Sequence, residues 1–229
     1  MRTGIILTTH GFWEMTREAL DSLERAGGDL RLLVVDGGSA DATVERLRRR
    51  GIEVLANPEG ISLAQALNQG LGALLAEQLA YVGWVHNDMV FFPGWLEGLV
   101  EVLERQPRIG KVAAWNLPGR REEWDDGRAS AFMREHREER EPGNGCPWVM
   151  PVRVVRRVGG FDEGYLACGG YEDWDYNNRV LEAGFAVEVS RAGAVWHQGM
   201  GTRGRTGQGE APRINMDRYF RRWGPGPRV

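Results

Sequence analysis

Apolar positions in the first half of the chain follow two periods in alternation. Gly4-Ile5-Ile6-Leu7-Thr8-Thr9, Leu30 to Val35, Glu53 to Ala56 and Tyr81 to His86 are short, largely apolar runs of strand length. Between them lie segments with helical spacing. Glu14 to Ala26 follows the first run, and Leu63, Leu67, Leu71, Leu74 and Leu75 fall on one helical face behind the capping box Ser62-Leu63-Ala64-Gln65. Leu96, Leu99, Val100 and Leu103 form a third stripe after Pro93-Gly94. Strand and helix taking turns in this way predicts βα units that lay down a single, mixed but mostly parallel, Rossmann-like sheet flanked by helices, an α/β fold. Asp36-Gly37-Gly38-Ser39 closes the second run with a tight turn, and Ser39 or Asp41 is placed to cap the next helix.

The pattern then changes. Lys111 to Trp115 reads as another strand, whereas residues 119–142 carry mixed charge, as in Arg-Glu-His-Arg-Glu-Glu-Arg-Glu, and few core-forming residues. That stretch predicts a solvated, partly helical excursion. Ordered sequence resumes at Cys146 to Met150, followed by Val152 to Val158 and Gly159 to Glu163. Glu172 to Ala183 is a helix stopped by Gly184, with Asp175 and Arg179 at the favourable i, i+4 spacing. Phe185 to Val189 and Val195 to His197 read as two short strands, Gly199 to Gly209 as a glycine-rich loop, and Ile214 to Trp223 as a closing helix.

Composition narrows the possibilities. With 229 residues, 42% hydrophobic and 9% aromatic, the chain suits one domain over 1–229. Within it, the βα pattern fills 1–117, 119–142 is the variable excursion, 145–210 a second ordered half, and 211–229 a tail. A net charge of −3 argues against nucleic acid as a partner. Cys146 and Cys168 lack metal-ligand spacing and suggest a reducing cytoplasm, and no run approaches the roughly 18 apolar residues that would span a bilayer. The expected location is cytoplasmic, with peripheral contact at the inner membrane face as one reading of Tyr219-Phe220-Arg221-Arg222-Trp223. Packing on its own domain is the commoner role of such a tail. Oligomeric state is not legible.

In an open α/β sheet, ligands gather outside the carboxyl ends of the strands. Thr8, Thr9 and His10 end the first strand, Asp36 ends the second, and Asp88 follows the fourth within His86-Asn87-Asp88. A nucleoside diphosphate needs hydrogen-bonding groups for base and ribose and a cation for its phosphates, and this edge offers both.

Several motifs resemble one family. Val34-Val35-Asp36-Gly37-Gly38-Ser39, Asn57-Pro58-Glu59-Gly60 with Ala66-Leu67-Asn68, His86-Asn87-Asp88, Val158-Gly159-Gly160-Phe161-Asp162-Glu163, Glu172-Asp173-Trp174-Asp175 and Val195-Trp196-His197 stand in the order of a family 2 glycosyltransferase with the GT-A fold. The resemblance covers nearly all of the chain outside the charged excursion, and it implies that 1–117 is the nucleotide-sugar-binding half and 145–210 the acceptor and catalytic half. It implies an inverting transfer from a nucleotide-sugar donor, a UDP-sugar by default, to a carbohydrate, lipid-linked or other hydroxyl acceptor. It places Thr8, Thr9, His10, Asp36, Asn68 and Asn87 around the donor nucleotide, and Asp88 and His197 on Mn²⁺ or Mg²⁺. Asp173 is then the general base. The family's Asp-X-Asp begins here with His86, so the resemblance leaves the full ligand set open.

Glu172, Trp174, Tyr176 and Asn177 surround Asp173 in the same helix and are candidates for the acceptor pocket. Arg203 and Arg205 are candidates for a lid over the diphosphate. Asp173 falls in a first helical turn, where the dipole favours negative charge, and Glu172 and Asp175 fit ordinary capping roles there. Plainer readings exist for others: a turn acid for Asp36, a satisfied core histidine for His197, core filling for Trp174. Two other functions are weighed. A non-catalytic nucleotide- or sugar-binding module of the same fold predicts the loss of an essential acid, yet Asp88 and Asp173 are both present. A sugar nucleotidyltransferase predicts a Gly- and Arg-rich phosphate loop after the first strand, which Thr8-Thr9-His10-Gly11-Phe12 lacks.

Overall fold

The computed structural model describes residues 2–167, 169–199, 211–226 and 228, with the side chains of 211 and 212 outside that set. Its first half follows the βα alternation: β1 (Thr3–Thr9), α1 (Trp13–Ala26), β2 (Leu30–Asp36), α2 (Thr43–Arg49), β3 (Val54–Ala56), α3 (Leu63–Leu75) and β4 (Tyr81–His86). The remainder runs β5 (Met89–Phe91), α4 (Trp95–Arg105), β6 (Ile109–Asn116), a 3-10 turn (Arg121–Glu123), α5 (Asp126–Glu135), β7 (Arg140–Pro142), β8 (Trp148–Pro151), α6 (Val152–Val158), α7 (Glu172–Glu182), β9 (Ala186–His197) and α8 (Ala211–Trp223).

Among the described residues these strands form one sheet in the order β3-β2-β1-β4-β8-β6-β9-β5, with β7 also on β9. β3, β2, β1 and β4 are parallel, β8 runs antiparallel to both β4 and β6, and β6 and β9 are parallel. Consecutive residues of β1 feed opposite faces. Ile5 and Leu7 enter the layer under α1, α4 and α5, whereas Ile6 joins Leu67 and Leu71 of α3 and Val180 of α7 on the other. Because helices cover both faces, these strands are continuous apolar runs rather than alternating ones. Burying each large side chain stabilises by about 1.5–3 kcal/mol.

Local chemistry sets the helix starts. Ser62 Oγ accepts from the Gln65 amide at 3.3 Å while Gln65 Oε1 accepts from the Ser62 amide at 2.9 Å, so the capping box at α3 is formed. Asp125 accepts from Arg128 N at the head of α5. α4 lies so close to β9 that a Cβ at Gly98 would fall 1.8 Å from the Ala192 carbonyl oxygen.

Two expectations need correction. The 119–142 stretch is more than a solvated excursion: α5 buries Ala129 and Met133 against β9, Trp124 is buried, and β7 pairs with β9. The two buried residues of α5, four positions apart, fall on one helical face, which a count of charges conceals. The two short strands at 185–197 are one, β9, whose pairing with β6 shifts register between Ala114 and Trp115 and so passes the polar Ser190-Arg191 without ending. No helix among the described residues is long and apolar enough to cross a membrane.

Candidate functional site

Parallel register levels the strand ends. Thr9 stands beside Asp36 and Thr8 beside His86, so β1, β2 and β4 deliver their last residues to one edge. There Asp36, 1% exposed, accepts from the amides of Gly38 (3.1 Å) and Ser39 (3.0 Å) and from the Ser39 hydroxyl. Its carboxylate therefore both closes the turn and lines the edge. A Cβ on Gly38, at φ 107°, would come within 2.8 Å of Gly60 Cα, so the two turns can touch only with glycine there. The His10 ring meets the Gly37 carbonyl through Nδ1 at 3.1 Å.

Other expected donor residues are committed within the protein. Trp84 Nε1 donates to Thr8 Oγ1 at 2.9 Å, and Thr9 Oγ1 lies 2.9 Å from Thr16 Oγ1. Asn87, buried, donates to Thr16 Oγ1 at 3.0 Å and Thr9 Oγ1 at 3.3 Å, tying the end of β4 to β1 and α1. Asn68 donates to the Phe161 carbonyl and Glu163 and accepts from the Phe161 amide, so it holds the 159–163 loop against α3.

Past Asn87 the chain turns into β5, which pairs antiparallel with β9 so that Met89 faces His197. This pairing, together with Gln198 N donating to the Asp88 carbonyl at 3.0 Å, brings the end of β9 to the end of β4. His197 Nε2 then lies 3.1 Å and His86 Nδ1 3.6 Å from Asp88 Oδ1. One potential ligand atom from each of His86, Asp88 and His197 lies within 4.8 Å of the other two. Burial alone would raise the Asp88 carboxyl, but hydrogen bonds from His197 and His86 and their positive charge hold it well below the usual carboxylate range. The buried His86 Nε2 has no hydrogen-bond partner among the described residues. Two imidazoles and an ionised carboxylate converging at a sheet edge form a donor set that fits a divalent transition ion.

The second cluster sits at the start of α7. Tyr171 precedes the helix at φ 73°, a left-handed conformation that is rare for an aromatic residue and that turns the first helical residues sharply. Asp173 accepts from Asn144 Nδ2 at 2.6 Å through Oδ2 and from the Trp174 amide at 2.9 Å through Oδ1, and it is partly exposed. Glu172 is buried and accepts from Gly170 N. Trp174 packs edge-on against Tyr171 and Tyr219.

Tyr176 and Asn177 lie deeper than an acceptor pocket requires. Tyr176 stacks on Phe161 with centroids 4.3 Å apart and donates to the Gly159 carbonyl, while Asn177 accepts from Lys111 Nζ at 2.7 Å. Both are at most 1% exposed, because i+3 and i+4 from Asp173 fall on the inner face of α7. Asp175 is likewise buried and takes Arg179, Arg222 and the Trp223 indole, which fastens α8 to α7. The tail thus packs on α7 of its own domain, as its aromatic contacts with Tyr171 also show. Arg203 and Arg205 lie outside the described residues.

Three contributors escaped sequence reasoning. His86 was visible only as a departure from an acidic motif. Asn144 precedes β8 in a loop with no motif of its own. Lys111 offered one faint signal, being the sole lysine of the chain.

A family model described as glycosyl transferase family 2 matches residues 4–163, a span that holds Asp36, His86 and Asp88 but ends before Asp173 and His197. No curated protein matches the chain. Among solved structures, a mannosyltransferase, PcManGT from Pyrobaculum calidifontis in complex with GDP-Man and Mn²⁺, is similar with a TM-score of 0.70 at 18% identity. The match covers 96% of this chain and 64% of that one. GalNAc-T7 with UDP, GalNAc and Mn²⁺ is similar with a TM-score of 0.65 at 13% identity, over 85% of this chain and 43% of that one. S. aureus TarS follows at 0.63 and 16%, over 86% and 36%. At these identities the likeness shows the GT-A fold alone, and the chain spans less than two thirds of the length of each.

Proposed function

The chain belongs to glycosyl transferase family 2, and from that premise we propose that it is an inverting, divalent-metal-dependent glycosyltransferase that moves a sugar from a nucleoside-diphosphate sugar to an acceptor hydroxyl. The observation that carries this reading is the convergence of His86, Asp88 and His197 beside the strand ends that form the Asp36 turn. Asp36 and His10 line the place for base and ribose. Asp88, His197 and His86 would hold Mn²⁺ where the diphosphate lies. When bound, the ion neutralises the charge that grows on the leaving diphosphate.

Asp173 supplies the other half. The acceptor O–H gives its proton to the Asp173 carboxylate while the acceptor oxygen bonds the anomeric carbon. The bond from that carbon to the phosphate oxygen breaks on the opposite face, and the nucleoside diphosphate leaves with the electron pair. Asn144 and the Trp174 amide fix the carboxylate while leaving it partly open to solvent, which suits a group that must meet a hydroxyl from outside. The partly buried rings of Tyr171 and Trp174 beside it suit the apolar face of a carbohydrate acceptor.

UDP is the default donor base. Two structural neighbours were solved with different nucleotides, UDP and GDP-Man, so the base must be measured. Thermal unfolding with UDP, GDP or dTDP, each with and without Mn²⁺, makes the test. The matching nucleotide at 100 times its Kd should stabilise by about 2.7 kcal/mol, roughly 5–10 °C for a chain of this size, and only when Mn²⁺ is present. No shift with any of the three would sink the reading.

A further inference from the structure

Lys111 stands on β6 with its side chain 1% exposed. Its Nζ donates to Asn177 Oδ1 at 2.7 Å and to Asn144 Oδ1 at 3.2 Å, and lies 5.3 Å from the centroid of the Trp148 ring. Asn144 passes the contact on, because its Nδ2 donates to Asp173 Oδ2 at 2.6 Å. The acidic and thiol groups that act on the ammonium are Asp173 and Glu172 from α7 and Cys146 from the loop before β8.

An ammonium has only donors and a carboxylate only acceptors. Asn144 can satisfy both neighbours in a single orientation, with oxygen toward Lys111 and NH₂ toward Asp173. The reverse orientation would set donor against donor and acceptor against acceptor. Lys111 therefore selects the amide orientation that delivers a hydrogen bond to one oxygen of Asp173.

We propose that Lys111 is a positioning residue for catalysis, which through Asn144 aims the Asp173 carboxylate. This rests on Asp173 being the general base. Burial of a lone ammonium is costly, and desolvation lowers Lys111 to about 8 despite the opposing pull of Asp173. The protein thus bears a cost at this point of the core that a hydrophobic residue would avoid. A compact ammonium also fits between two amide oxygens, where the planar fork of the arginine used elsewhere in the chain does not. The only lysine of the sequence stands here.

The test follows the Asp173 carboxyl carbon by ¹³C NMR over a pH titration, with the resonance assigned by its absence in Asp173→Asn. In Lys111→Met, a near-isosteric and uncharged variant, the midpoint should move up by about one pH unit. Asn144→Ala should move it in the same direction with Lys111 still in place. A folded Lys111→Met whose midpoint coincides with the wild type overturns the proposal and leaves Lys111 a packing residue. Should Lys111→Met fail to fold, Asn144→Ala decides, and an unmoved midpoint there overturns it equally. The base reading is checked apart from this: an Asp173→Asn protein that still releases UDP from UDP-glucose or GDP from GDP-mannose as fast as the wild type removes Asp173 from catalysis, whatever the titrations show.

Discussion

His197 Nε2 and Asp88 Oδ1 lie 3.1 Å apart, although 109 positions of sequence separate them. The three-residue pairing of β5 with β9 is what closes that distance. If the pair holds a cation, Asp88→Ala should weaken Mn²⁺ binding by about 100-fold or more, given that losing even a group that only orients a ligand costs about 10- to 100-fold. His197→Ala and His86→Ala should each weaken it by a smaller factor. Calorimetric titration with Mn²⁺ alone measures this without knowledge of donor or acceptor.

Asp173→Asn keeps the shape and the hydrogen bond from the Trp174 amide but removes the proposed proton acceptor. Its kcat should drop by about 10²- to 10⁴-fold, the usual worth of a general base. The Mn²⁺-dependent thermal shift with nucleotide should persist, because Asp173 is not one of the three residues that converge as potential metal ligands. Loss of the shift together with turnover would assign Asp173 to donor binding instead.

Asp36 has two tasks, which predicts a double effect. Asp36→Ala strips acceptors from the Gly38 and Ser39 amides and the Ser39 hydroxyl, so it should destabilise the free protein by about 1–3 kcal/mol. Nucleotide-induced stabilisation should shrink in addition. Asp36→Asn, which preserves one acceptor, should recover part of the stability. Urea unfolding with and without nucleotide separates the two terms.

Lys111 carries a pH signature in stability. Its folded value is lowered from 10.5 to about 8, so between those limits the unfolded chain binds more protons than the folded one. Stability contributed by this group is thus complete above about 10.5 and lost as pH falls through about 8. Relative to Lys111→Met, the wild type should gain stability as pH rises across that window. Parallel unfolding curves at about pH 7, 8, 9 and 10 check the sign, and a constant difference would contradict it.

Gly98 tests the packing of α4 on β9. A methyl group there meets the Ala192 carbonyl at 1.8 Å, and a Cβ at the facing Gly193 meets the Trp95 carbonyl at 2.4 Å. Since both obstacles are backbone, Gly98→Ala should cost about 2 kcal/mol or more despite alanine's better helix propensity. Gly72 lies in α3, where an added Cβ would meet nothing within 4 Å. The same change there should instead stabilise by about 0.4–1 kcal/mol.

The elements of the first half were legible because each is written locally. Capping at Ser62, the apolar stripe of α3 and the unbroken runs of β1, β2 and β4 depend on neighbours a few residues away, so period and caps suffice to find them. The second half was less so. Ala129 and Met133 are too few to stand out among charges, and only the β9 surface that α5 meets shows them to be core. Asp36 and Asp88 could be singled out because they follow strand ends, whereas Asp173 was reached through the resemblance of Glu172-Asp173-Trp174-Asp175 to the family's motif.

What the sequence by itself determined was the layered α/β architecture and which acids follow its strand ends, since hydrophobic period and strand-end position are one-dimensional properties. The tertiary structure decided which groups act on those acids. His86 joins Asp88 through its place at the end of β4, His197 through the β5–β9 pairing, and Lys111 reaches Asp173 through Asn144. The same structure turned Tyr176 and Asn177 inward. Charges and hydrogen bonds act over a few ångströms in space, and only a folded sheet makes residues so far apart in sequence neighbours.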